Sequence, residues 1–491
     1  MKGKKTVLQW LLMGAVAWGL TLPGCIDKKV SMQMYLEEQA RLRTLDRSLA
    51  ATVTVAVKKQ RELGKVILGF RGNASEEAYA QSLRLTNTLG SGSGFIIQRN
   101  GTYYVVTNTH VIESADDAQG SLYVYSYNRN RYEVKVLGGD TWFDIAVLEF
   151  VDPPGDELRS MEFAQRPTKV GQKVYAIGNS LGQFPNTITD GIISALNRTN
   201  EGLTGKFGYV QSTATTIWGN SGGPLVDAQG RVVGLVTRGH FASGPDGNTY
   251  LQQQLNFALA AEMAQKISNE IIDKGMKQRA FLGLELSYSH ELFSFLGRGI
   301  LGDPITPHPQ ITYVLPGPNS EIWSEYLGQY ITHINDREVK DLEDVLSIME
   351  RTLPQDQISV RIQSRFSAVP ARTIQITTQA AQPEDNANIA QHVLEDLLEL
   401  SVYPNSPQLK VYSEELRGSA YLIAGGMQSN LWRLTTAEDL GGVLRILGLN
   451  GSVQLYFAQE AESSDEDIQQ LHIPFENNYL SQRNFTQKLW Y

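Results

Sequence analysis

Gly219-Asn220-Ser221-Gly222-Gly223-Pro224-Leu225 sets a serine among three glycines at the head of an apolar run. Glycines there let the backbone turn tightly and bring main-chain amides beside a hydroxyl with no side chain in the way. Such a hydroxyl attacks an amide only if a base takes its proton and a carboxylate holds that base in the right tautomer. Main-chain N–H groups must also face the developing oxyanion. Working outward, the base is offered by His110 in Thr107-Asn-Thr-His-Val111 and the carboxylate by Asp144 in Phe143-Asp-Ile-Ala-Val-Leu148. The oxyanion donors are offered by Gly219, Asn220 and Ser221. Each residue alone has a bland reading: a surface histidine, an aspartate capping a turn, a glycine-rich loop. Together, in the order His, Asp, Ser, they form a specific signal.

The surrounding chain reads as β. Ala50–Val57, Gly94–Ile97, Tyr103–Thr107, Glu133–Val136, Ile145–Leu148, Lys173–Ile177 and Val232–Val236 are short runs rich in β-branched residues, with Gly and Asn between them. That pattern predicts a barrel or sandwich. A polar segment from Lys58 to Asn87 separates the first two strands and reads as a functional loop. Phe257–Lys274 changes to helical spacing and ends before Gly275. Residues 281–378 read as mixed α/β, with strands at Ile311–Val314 and Ile358–Ile362 around a helix at Leu342–Arg351, and 380–389 as a linker. A faint repeat at an offset of 95 sets Glu343-Asp-Val345 against Glu438-Asp-Leu440, and Ile358, Val360 and Ile362 against Val453, Leu455 and Phe457.

The chain has 491 residues, 42% apolar and 19% charged, which fits several folded domains. Its net charge of −9 argues against nucleic acid as a partner. Lys2, Lys4 and Lys5, then an apolar stretch from Val7 to Leu20, read as an export signal. It ends at Leu22-Pro-Gly-Cys25, which resembles the lipobox of bacterial lipoproteins, where lipid is attached to the cysteine. Cys25 is the only cysteine, so no disulfide forms within a chain. An uncleaved membrane helix is the competing reading of this segment.

Beyond the three site segments, Ser91-Gly-Ser-Gly-Phe-Ile-Ile97, Ala176-Ile-Gly-Asn179, Gly191-Ile-Ile-Ser-Ala-Leu196 and Asn256-Phe-Ala-Leu259 resemble the HtrA family of serine endopeptidases. The resemblance implies a mainly β fold: a chymotrypsin-like double six-stranded β-barrel followed by α/β PDZ-like modules. It divides the chain into a signal peptide (1–24), a tether (25–45), a protease domain (46–275), a PDZ domain (276–380) and a C-terminal domain (390–491), one reading of which is a degenerate second PDZ-like module. Phe281, Leu282, Gly283 and Leu284 match the loop that receives peptide C-termini. The family implies His110, Asp144 and Ser221 as catalytic triad, no cofactor or metal, unfolded or damaged envelope proteins as substrates, a homotrimer, and a periplasm-facing lipoprotein anchored at the outer membrane through Cys25. The alternative is a weakly active or inactive chaperone-like scaffold on the same fold. Thr213 and Trp218 depart from the family pattern, as does Gln329, which stands where Asp is usual. Thr213–Ile217, expected at the floor of the primary pocket, carries no acid. Small or medium apolar residues are therefore expected at the cleavage site, with Arg238 on the opposite wall leaving room for an acidic one.

Overall fold

The computed structural model describes residues 23–59, 90–116, 118–155, 158–198, 207–243, 249–287, 308–364, 369–403, 406, 408–427, 430–447, 452–459, 468–474 and 488–491. The export signal up to residue 22, most of the Lys58–Asn87 segment and residues 288–307 lie outside these. Helix α1 (Pro23–Ala50) runs through the stretch expected as a tether. Its last turns belong to the folded body: Leu45 and Ser48 are buried, and a Cβ on Gly230 would lie 2.8 Å from the Thr44 side chain. The boundary expected at residue 46 therefore falls inside a helix.

Strands β1 (Thr52–Val57), β2 (Gly90–Arg99), β3 (Thr102–Thr107), β4 (Leu122–Tyr125), β5 (Arg131–Asp140) and β6 (Ile145–Phe150) close a barrel in the order β1-β2-β3-β6-β5-β4. The short helix α2 (Thr109–Ile112) follows β3. Strands β7 (Lys173–Ser180), β8 (Phe184–Arg198), β9 (Tyr209–Ser212), β10 (Pro224–Asp227), β11 (Val232–Ser243) and β12 (Thr249–Ala260) close a second, in the order β10-β11-β12-β9-β8-β7. Residues alternate faces along a strand, and here both faces are covered. Val53, Val55, Ile96, Val105 and Leu148 fill the first barrel, and Val174, Ala176, Leu225 and Val233 the second. Their neighbours Phe95, Ile97, Val106, Ile145, Tyr175, Ile177, Val226 and Leu235 point outward into a shared core. That double burial is why these strands read as continuous apolar runs rather than as alternation.

Helix α3 (Ala261–Lys274) leaves the second barrel and buries Met263, Ala264, Ile267 and Ile271. The expected helical span from Phe257 is corrected at its start, because Phe257–Ala260 completes β12. Gly275 ends α3 in the left-handed conformation (φ 79°), its amide donating to Ile271 O at 2.8 Å. A Cβ on Gly138 would fall 2.1 Å from the Gly275 carbonyl, so the helix end lies directly on β5.

An antiparallel sheet follows. It is built from β14 (Leu284–Ser287), β15 (Gln310–Val314), β16 (Tyr330–Ile334), β17 (Arg337–Glu338), β18 (Gln357–Gln363) and β19 (Arg372–Thr377), with helices α4 (Ser320–Ser324) and α5 (Leu342–Met349). Its main path is β19-β18-β16-β15-β14, with β17 on β16, while β13 (Ala280–Phe281) and β20 (Gln379–Ala380) pair with each other as a separate two-stranded sheet. The linker expected over 380–389 is instead helix α6 (Pro383–His392), continued by a π-turn at Val393–Leu397. Pro383 at its first turn and a capping box between Gln382 and Asp385 start it.

A second antiparallel sheet follows: β21 (Ser401–Val402), β22 (Lys410–Ser413), β23 (Gly418–Met427), β24 (Asn430–Arg433), helix α7 (Ala437–Leu447), β25 (Ser452–Ala458) and β26 (Ile468–Pro474). Its path is β21-β22-β23-β25-β26 with β24 on β23, the same plan as the first sheet. Strand β25 stands 95 residues after β18, at the offset of the sequence repeat. The last strand, β27 (Lys488–Trp490), does not join this sheet but pairs with β14 of the first. The expected 390–491 unit is thus corrected at both ends: it begins at α6, and its final residues belong to the earlier sheet. Among the described residues no helix is long and apolar enough to cross a membrane.

Candidate active site

The Ser221 turn sits between the barrels, just before β10. Gly219 and Gly222 have φ of 90° and 85°. A Cβ on them would lie 2.1 Å from Asn179 O and 2.0 Å from Ser93 O, so only glycine fits at either. Ser93, on β2 of the first barrel, ties the turn down. Its amide donates to Ser221 O at 2.7 Å, its hydroxyl donates to Gly219 O at 2.7 Å, and the same hydroxyl oxygen accepts from the Asn179 amide at 2.8 Å. The Asn220 amide donates to Ile217 O at 3.1 Å. Of the three residues expected to form the oxyanion hole, Asn220 thus has its amide engaged, while those of Gly219 and Ser221 make no hydrogen bond among the described residues.

His110 opens α2 on the first-barrel side. Its Nδ1 lies 2.7 Å from Asp144 Oδ2, and its own amide donates to Asp144 Oδ1 at 3.1 Å. The Thr109 hydroxyl donates to the same Oδ1 at 2.8 Å, and Asn108 Nδ2 donates to the Asp144 carbonyl at 2.5 Å. Asp144 adopts a left-handed backbone (φ 51°), uncommon for a non-glycine residue. Its loop is pinned on the near side, where Asp140 Oδ1 accepts from the Phe143 amide at 2.9 Å and Phe143 O accepts from the Tyr209 hydroxyl at 2.8 Å. The His110 side chain is 43% exposed and that of Asp144 is 18% exposed, so the pair opens on the cleft. The Ser221 hydroxyl donates to Thr237 O at 2.9 Å. Ser93, Asn108 and Thr109 do not stand out individually in the sequence, although Ser93 lies inside the glycine-serine run that opens β2 and the other two directly precede His110.

Upstream of the nucleophile turn, Thr213 Oγ1 accepts from the Ile192 amide at 3.0 Å, and the Thr216 hydroxyl donates to Asn256 Oδ1 at 2.7 Å. The Thr213 and Thr216 hydroxyls are thus internally bonded, and Ala214 between them is fully buried. Trp218 is half-buried, its carbonyl accepting from the Leu181 amide at 2.6 Å. The Arg238 side chain lies outside the described residues. So does that of Cys25, whose backbone is in the first turns of α1. No group of His, Cys, Asp or Glu that could hold a metal ion occurs among the described residues.

At the edge of the first antiparallel sheet, Phe281 ends β13, Leu282 is buried, Gly283 turns left-handed (φ 81°), and Leu284 opens β14. Helix α5 supplies Val345 and Ile348 to the same apolar cluster as Leu282 and Leu284.

A model of the trypsin-like peptidase domain matches residues 92–235. The chain is 32% identical over 289 residues to the serine protease Do-like HtrB of Bacillus subtilis, covering 54% of this chain and 60% of that one. It is 30% identical over 275 residues to the serine endoprotease DegS of Haemophilus influenzae, covering 55% of this chain and 72% of that one. A solved structure described as the HtrA-type protease AlgW with tripeptide superposes with a TM-score of 0.51 at 25% identity, over 70% of this chain and 98% of that one.

Proposed function

The chain belongs to the HtrA family of serine proteases, and from that premise we propose that it cleaves peptide bonds through Ser221, His110 and Asp144. The observation that carries this reading is the 2.7 Å contact between His110 Nδ1 and Asp144 Oδ2, with Asp144 held by two further donors. That contact favours the tautomer with the proton on Nδ1, which makes Nε2 the basic nitrogen, and it stabilises the imidazolium that follows. Ser221 Oγ attacks the carbonyl carbon and gives its proton to His110. The amides of Gly219 and Ser221 meet the oxyanion, His110 protonates the leaving amine, and water repeats the sequence to release the acyl group. The internally bonded Thr213–Ile217 stretch offers a neutral pocket, which favours small or medium apolar residues at the cleavage site.

Unfolded envelope proteins are the proposed substrates, Cys25 the lipid-anchored residue of an exported chain, and the loop Phe281–Leu284 with strand β14 a groove for peptide ends. The second antiparallel sheet, with its matching strand plan, is proposed as a duplicate of the first. One observation favours the alternative of a scaffold that rarely cleaves. The Ser221 proton is donated to Thr237 O and must be withdrawn from that carbonyl before His110 can take it. Kinetics on an unfolded test protein decide between them. Ser221→Ala and His110→Ala should each lower kcat on the order of 10⁴-fold or more, and the double variant should be little worse, since triad members act as a unit. Independent, multiplicative losses would count against the assignment. For the anchor, Cys25→Ser should release the protein from membranes, and unchanged membrane association would contradict lipidation.

A further inference from the structure

The groove proposed above already holds a peptide, and that peptide is the chain itself. Strand β27 lies antiparallel on β14, with Trp490 opposite Glu285, Leu489 opposite Leu286 and Lys488 opposite Ser287. The ladder closes on the residue after the glycine turn: the Leu284 amide donates to Tyr491 O at 2.9 Å, and the Tyr491 amide donates to Leu284 O at 2.9 Å. Helix α5 packs against the far side of β27. This is strand addition at a sheet edge, with main-chain bonds giving affinity and side-chain pockets giving selectivity.

The pocket is what identifies the ligand. Tyr491 is fully buried, in one cluster with Leu282, Leu284, Leu286, Val345, Ile348 and Met349. Its ring meets Trp142 edge-on at 6.1 Å. Its hydroxyl donates to Glu350 Oε1, at the end of α5. Glu350 is itself buried and takes Lys277 Nζ at 2.6 Å and Arg279 Nε at 2.8 Å. Burial alone would push this carboxyl up, but the Arg279 and Lys277 cations override it and bring it to about 2. The pocket floor is therefore an ionised carboxylate, which accepts a hydroxyl proton and which a purely apolar side chain would leave with a lost partner.

We infer that residues 488–491 are a resident ligand of this groove, and that the groove selects tyrosine at the Tyr491 position through Glu350. The inference rests on the reading of Phe281–Leu284 as a peptide groove and adds its occupant and its preference. Other peptides bind only by displacing the tail, whose tether gives it a high effective concentration.

Fluorescence anisotropy with a labelled decapeptide of residues 482–491 tests this on the full mature chain and on a variant ending at Gln487. Removing the tail should tighten decapeptide binding at least tenfold. In the shortened chain, a decapeptide with phenylalanine in place of the tyrosine should bind about tenfold more weakly, as expected for a lost hydrogen bond to a charged group. Tyr491→Ala in the full chain, which keeps the strand, should give intermediate affinity and serves if the shortened chain does not fold. Equal binding to the full and altered chains, or indifference to the tyrosine hydroxyl, would overturn the inference while leaving a general peptide groove standing. Absence of binding by any peptide to any of these chains would instead remove the groove reading itself, and the inference with it.

Discussion

At an offset of 95 residues the helices of the two antiparallel sheets agree down to their capping. Lys340 N donates to Asp344 Oδ2 and Asp344 N to Asp341 Oδ1; Thr435 N donates to Asp439 Oδ2 and Asp439 N to Thr436 Oγ1. The sheets part at the loop before the edge strand. Leu282-Gly283-Leu284 in the first has Leu398-Glu399-Leu400 as its counterpart in the second, and Glu399 takes the left-handed backbone (φ 56°) with strain. In the first, the Leu284 amide reaches across to Tyr491. In the second, the Leu400 amide is turned inward onto Leu394 O of the π-turn, at 2.8 Å. The strand plan is common to both and the edge is not: one edge pairs with a further strand, while the other bonds its own donor internally.

They differ as sharply at the ends of their helices. Glu350 and Arg445 occupy matching positions and meet at the same junction. Glu350 is fully paired, whereas Arg445, buried over the rings of Trp142, Phe281 and Tyr491, has one hydrogen bond among the described residues, to Asn386 Oδ1 at 3.3 Å. The largest effect should therefore come from Glu350→Ala. It leaves Lys277 without its carboxylate and Arg279 with Asp140 alone, and should cost about 3–5 kcal/mol, read from urea denaturation. Arg445→Met should be neutral or stabilising on the same measurement, since an underpaired buried cation is replaced by apolar volume. Equal losses at the two positions would break the comparison.

Exchanging the loop residues comes next. Gly283→Glu has open space, with the nearest atom, Leu315 O, 3.8 Å from the new Cβ, but pays the left-handed penalty of about 1–2 kcal/mol. Glu399→Gly should recover up to about that amount in the second sheet. Capping is predicted to be symmetric: Asp341→Ala and Thr436→Ala should each cost about 1 kcal/mol in thermal denaturation. A loss at one site only would show that the repeat is superficial there.

The smallest effect is a pH dependence of the contact between the sheets. His392 on α6 lies between Glu285 of β14, 3.0 Å from Nε2, and Asp396 of the π-turn, 2.7 Å from Nδ1, and stacks on Tyr313 of β15. Burial pushes its pKa down, but the two carboxylates outweigh this and raise it above the ordinary histidine value. A raised pKa means the contribution is fully present below the ordinary histidine pKa and is lost as pH rises through the raised one. His392→Gln should flatten the pH dependence of the melting temperature across that window, and an unchanged slope would contradict the assignment.

The proposed triad could be named from the sequence because acyl transfer restricts residue types, so that His110, Asp144 and Ser221 stand out within short motifs. The barrel strands were legible because burial on both faces makes apolar runs. Residues 380–389 were misread because Gln-Pro-Glu-Asp has the composition of a loop, although the same residues cap a helix. The junction was out of reach: Arg279 pairs with Asp140 and Glu350, 139 and 71 positions away, and no local period encodes such pairs. Strand β27 was missed for the same reason, three residues being too few to show alternation.

The central claim is that Ser221 is an activated nucleophile, and reaction of the full mature chain with a fluorescent fluorophosphonate tests it most directly. The account predicts one labelled band in the wild-type protein, absent in Ser221→Ala and strongly weakened in His110→Ala. A wild-type protein that is folded and yet takes up no label, or a Ser221→Ala variant that labels equally, would contradict it.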